Sequence, residues 1–141
     1  VPAPSFSPVQ DWQLRILPMQ VFVPADLPEG FLVQSVVAED SPDWGASYQI
    51  VFEGPEGAEL TVQGTVSGVG DIFRGQSRQK FQNPWLGQGI MEFYEPDSEE
   101  PVDFRSHWLQ TGPEAPFHNL SGKGLEPEQA LHLAENLGPR Q

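Results

Sequence analysis

The chain has 141 residues, enough for one domain that buries roughly two-thirds of its unfolded surface on folding. It contains no cysteine, which excludes disulfides, thiol catalysis, iron–sulfur clusters and cysteine-ligated zinc. Twenty acidic residues against seven basic ones give a formal net charge of −13, a surface that repels nucleic-acid phosphates and anionic lipid headgroups alike.

The chain opens on Val1-Pro-Ala-Pro-Ser-Phe-Ser-Pro. Residues 1–10 carry three prolines and no hydrophobic period, so an extended or disordered leader is expected there. A polar, proline-rich start is what remains once a signal peptide or lipid-anchor linker has been removed, and an exported origin is the expectation. Met19 to Val23 lies between Pro18 and Pro24 and suggests a short strand. Residues 1–26 thus read as leader plus first strand, and 27–141 as a single domain.

Pro24 to Gly30 reads as a turn, and Phe31-Leu-Val-Gln-Ser-Val-Val-Ala as a strand rich in β-branched residues. After a loop from Asp40 to Gly45, Tyr48-Gln-Ile-Val-Phe-Glu puts tyrosine, isoleucine and phenylalanine on one face. Gly54-Pro-Glu-Gly turns the chain into Glu59-Leu-Thr-Val-Gln-Gly-Thr-Val, whose matched alternation predicts a hairpin. A glycine-punctuated stretch follows from Gly64 to Gly89. Within it Arg74, Arg78 and Lys80 cluster, and this cluster reads as a solvated strand face.

Ile90-Met-Glu-Phe-Tyr-Glu is a further strand candidate, and Pro96 to Pro101 an acidic turn. In Val102-Asp-Phe-Arg-Ser-His-Trp-Leu, period-2 alternation puts Val102, Phe104, Ser106 and Trp108 on one face, with Trp108 expected in the core. Phe117-His-Asn-Leu is a last short strand. The one expected helix comes next. Pro127 suits its first position, Glu128 its first turn, and Leu125, Ala130, Leu131, Ala134 and Leu137 form an apolar stripe that Gly138-Pro139 stops. Short strands closing on one helix predict an α+β domain: a mainly antiparallel, curved sheet closed by a single C-terminal helix. No run approaches the roughly 18–20 apolar residues that cross a bilayer.

Chemistry is sparsely signalled. A metal would need His107, His118 or His132 to converge with a carboxylate such as Asp103 or Glu92, and no tight ligand spacing exists, so the histidines read as structural. The acidic stretches Glu39–Asp43 and Asp97–Asp103 lack the spaced ligands and central glycine of an EF-hand loop and read as solvated turns. Many carboxylates are present, but nothing selects two as a glycosidase pair. Ser67 lacks a nucleophile-elbow context, Gly68-Val-Gly70 lacks the third glycine of a dinucleotide loop, and Gly122-Lys-Gly lacks the hydroxyl residue of a P-loop. Asn119-Leu-Ser121 is formally a glycosylation sequon. Neither catalytic nor cofactor nor metal residues are therefore assigned.

Four tryptophans are many for this length. Trp12 carries no further signal, and Trp108 alternates with Phe104. Trp44 and Trp85 sit in loop contexts beside Asp43 and Pro84, and these two are the candidate partner anchors, since tryptophan is a common interface hot spot.

The order of Leu27-Pro-Glu-Gly-Phe, Tyr48-Gln-Ile-Val-Phe-Glu, Trp108 before Phe117-His-Asn-Leu-Ser-Gly, and Leu125-Glu-Pro-Glu-Gln-Ala-Leu-His-Leu-Ala-Glu-Asn-Leu resembles a bacterial extracytoplasmic domain of unknown function. That family occurs in lipoproteins and in anti-sigma-factor-like membrane regulators. The resemblance spans residues 27–138, has no counterpart for Gly64 to Gly89, and brings no catalytic residues. It implies an exported sheet-plus-helix domain that binds or senses something. The expectation is a non-catalytic interaction or sensor domain with a protein partner. The alternative is a sugar- or lipid-binding protein using the concave face of the sheet.

Overall fold

A computed structural model describes residues 4–70 and 77–140. Arg74, with the pair Ile72-Phe73 named by the sequence, lies outside the described residues. Seven strands form one antiparallel sheet: β2 (Leu32–Ser41), β3 (Gly45–Glu53), β4 (Glu59–Thr65), β5 (Ser77–Asn83), β6 (Gly87–Phe93), β7 (Phe104–Ser106) and β8 (Phe117–Lys123). Their spatial order is β2-β3-β4-β8-β7-β6-β5, so β4 is followed in space by β8 and the chain returns to fill the far side. A separate two-stranded ribbon pairs β1 (Phe22–Pro24) with β9 (Leu137–Pro139). The helices are α1 (Pro8–Arg15) and α2 (Pro127–Glu135). The architecture is α+β with a predominantly antiparallel sheet.

The predicted hairpin is present, with Phe52 opposite Leu60 and Ile50 opposite Val62. Strand alternation sends these four side chains to one face, where all are fully buried together with Met91, Phe104 and Leu120. Over that face lie α2, beside β5 and β7, the β1–β9 ribbon, beside β4, and α1, beside β2. Helix α2 begins at Pro127 as its sequence requires, and the Glu126 N–H donates to Gln129 Oε1 at 2.9 Å. Its buried stripe is Ala130, Leu133 and Ala134, continued by Leu137, while Leu125 and Leu131 are half-buried. The contact face is therefore turned toward Leu133, and burying that side chain contributes about 2 kcal/mol.

Three expectations are corrected. The leader is not extended throughout: Ser7-Pro8-Val9-Gln10 starts α1 with a reciprocal cap, Gln10 N–H donating to Ser7 Oγ at 3.2 Å and Ser7 N–H to Gln10 Oε1 at 2.9 Å. There are consequently two helices rather than one. Gly138-Pro139 does not merely stop α2; it forms the ribbon strand β9, which nothing local to these residues signals. Trp108 is half-buried and Leu109 takes the core position, because the chain after β7 pairs Leu109 with His118 and leaves strict alternation.

Candidate binding surfaces

Trp85 stands in the tight turn between β5 and β6, held there by Asn83. This buried amide donates from Nδ2 to the carbonyls of Ala134 and Leu137, both at 2.8 Å, at the end of α2 and the start of β9. Its Oδ1 accepts from the N–H groups of Trp85 at 2.8 Å and Leu86 at 2.9 Å. One side chain thereby ties the turn to the helix end. The indole is left 57% exposed. A Cβ placed on Gly138 would stand 3.4 Å from its Nε1, so the glycine lets β9 back the ring closely.

The exposed indole forms one wall of a groove of about 770 Å³, lined also by Phe6, Val23, Pro24, Pro139 and Arg140. Arg140 forms an ion pair with Asp11, also in the lining, and lies over the Phe6 ring, 5.5 Å from its centroid. The N-terminal segment thus builds one bank of the groove, and the ribbon and Trp85 build the other. Apolar walls with one compensated charge pair suit the capture of apolar side chains.

Trp44 lies at the tip of the β2–β3 hairpin and is 73% exposed. Its backbone is anchored: Ser41 Oγ accepts from Trp44 N–H at 3.2 Å, and Ser67 Oγ donates to the Trp44 carbonyl at 2.6 Å. Ser67 is here a loop clamp. The two tryptophans share the surface but are not brought together, since their hairpins form opposite edges of the sheet.

The histidines are separated. His118 faces the core from β8, whereas His107, just after β7, is on the side of Glu92; His132 lies on α2, its Nε2 3.2 Å from Asp26 Oδ2. Among the described residues no three His, Cys, Asp or Glu side chains are grouped as a metal would need. His118 Nδ1 is 2.7 Å from the Tyr48 hydroxyl, which also accepts the Phe22 N–H at 2.9 Å. Burial holds His118 down to about 4 and pushes the Tyr48 hydroxyl well above its ordinary range, so both are neutral near pH 7.

Glu92 is fully buried on the face opposite the core. Its Oε1 is 3.0 Å from Arg78 Nε and 3.3 Å from His107 Nε2. Arg78, Glu92, Arg105 and Ser121 are successive register partners across β5, β6, β7 and β8, which puts them in one row. Arg78, on the solvated strand face the sequence suggested, also supplies a counter-charge to a buried carboxylate. The sequence offered Glu92 only as a metal ligand, because cross-strand neighbours 14 residues apart are invisible without the register. Comparison with protein-family models, with curated proteins and with solved structures returns no match for this chain.

Proposed function

We propose that this chain is a non-catalytic, extracytoplasmic interaction domain that seats apolar side chains of a protein partner against Trp85. One observation carries the reading: a large aromatic ring is carried at the surface, on a turn whose backbone a buried amide holds and on the wall of an apolar groove, instead of being turned inward. A rigid exposed tryptophan loses little conformational entropy on binding, which is why such residues dominate interfaces. The extracytoplasmic setting rests on the motif resemblance. Among the described residues, no helix is long and apolar enough to cross a membrane. The small-ligand alternative gains less support, because the core face of the sheet is occupied by fully buried side chains such as Phe52, Leu60 and Met91.

The test is capture from a native envelope extract by the tagged domain, with the retained protein then titrated against point variants. Trp85→Ala is expected to weaken that partner about 30-fold, as loss of about 2 kcal/mol implies, with Tm shifted by no more than about 2 °C. Trp44→Ala, measured alongside, reports whether the opposite hairpin contributes. Unchanged affinity in Trp85→Ala, or a collapse of its stability, would remove the groove from the interface.

A further inference from the structure

Strand β2 ends the sheet, and among the described residues its backbone forms no hydrogen bonds except those to β3. A bulge between Val33 and Ser35 interrupts its start, after which Ser35 to Ser41 pair without a break, a run of about 20 Å. None of the ten residues of β2 is buried, and Leu32 and Val37 are 73% and 51% exposed. An unpaired, partly apolar edge of this length is a template for another strand.

The two edges of the sheet differ in charge. Strand β5 carries Arg78 and Lys80, the kind of guard that discourages pairing. Strand β2 carries Glu39 and Asp40, with Asp43 in the following turn and Glu53 on the neighbouring strand, and no Lys or Arg occurs between Arg15 and Arg74. Two copies joined through β2 would bring like charges into one ladder, on top of a net charge of −13 each. A basic strand meets the opposite situation: its cations face Glu39 and Asp40 while its apolar residues lie beside Val37.

We infer that the β2 edge from Ser35 to Ser41 docks an extended, basic segment of a partner protein, which adds to the sheet as an eighth strand. Main-chain hydrogen bonds hold the segment, and the acidic edge selects its charge. This surface shares no residue with the lining of the Trp85 groove and is tested by different variants, so the two readings stand or fall separately.

The probe is a blocked, fluorescent heptapeptide, Lys-Thr-Val-Lys-Val-Thr-Lys, titrated into the full chain by anisotropy and then followed by amide exchange. Saturable binding with slowed exchange at Ser35 to Ser41 is expected. Methylating alternate peptide nitrogens leaves charge and side chains but removes main-chain donors, and should weaken binding at least about tenfold. Replacing the three lysines by glutamates should do the same. Val37→Lys, at an exposed site, should cost a similar factor with Tm held within about 2 °C. Equal affinity for the methylated peptide, protection confined to other strands, or no saturation up to about 1 mM overturns the proposal. So does concentration-dependent dimerisation that Val37→Lys abolishes, because the occupant is then a second copy.

Discussion

At the scale of single residues, the most informative contact is the reach of Tyr48 across Gly64 to His118. These three are consecutive register partners on β3, β4 and β8. A Cβ on Gly64 would come within 2.1 Å of the Tyr48 ring, so the missing side chain is what lets the phenol lie over β4. The hydroxyl then meets His118 and the backbone of Phe22, joining sheet and ribbon. Because burial lowers His118 to about 4, the unfolded chain takes up a proton that the folded chain refuses between roughly pH 6.5 and 4. Stability from this site is complete above pH 6.5 and is lost progressively as pH falls toward 4. Between pH 7 and pH 5 the loss is on the order of 2 kcal/mol, or about 5 °C or more in Tm. Thermal melts of His118→Gln should show a smaller drop over the same interval. An identical drop in both proteins would locate the acid sensitivity elsewhere.

Elements are held to one another at their ends. Asn83 terminates β5, shapes the turn that presents Trp85, and caps the carbonyls where α2 passes into β9. Replacing it by aspartate preserves shape but substitutes a carboxylate oxygen for the donor facing two carbonyls. Asn83→Asp is expected to cost about 2–4 kcal/mol at neutral pH, through lost hydrogen bonds and repulsion in a buried site. Chemical denaturation measures this directly, and a cost below about 1 kcal/mol would mean that the turn is held by packing alone. The reciprocal cap of α1 is a weaker device on an exposed helix end. The sequence reading took this segment for an extended leader, although in Ser7-Pro8-Val9-Gln10 a hydroxyl, a proline and an amide occupy the positions a helix start prefers.

For the whole molecule, charge is unevenly spread. The segment between Arg15 and Arg74 supplies β2, β3 and β4 with acids and no Lys or Arg, while Arg78, Lys80, Arg105 and Lys123 belong to the other strands. Ion pairs such as Arg78–Glu92 and Arg105–Glu100 thus lie on the β5–β8 side. The acid-rich side is left with long-range repulsion, which salt screens over about 10 Å at 0.1 M. Raising sodium chloride from 10 to 300 mM is expected to raise Tm by about 3 °C, and a fall would show that the ion pairs outweigh the repulsion.

The local pattern was sufficient wherever neighbours in sequence are neighbours in space. The hairpin of β3 and β4, the proline start of α2, the α+β class and the surface placement of Trp44 and Trp85 followed from alternation, turn residues and loop context. Those features depend on forces acting over a few residues. The groove at Trp85 needed Phe6, Val23, Pro139 and Arg140, drawn from both ends of the chain, and the Arg78–Glu92–His107 cluster needed the register of three strands. The same holds for β9, a strand only because β1 is there to pair with it. Sequence by itself determined which segments could bury a face and what charge the molecule carries. Only the tertiary structure decided which edge stays free and which distant side chains meet, because both depend on strand order, and strand order is set by long-range packing.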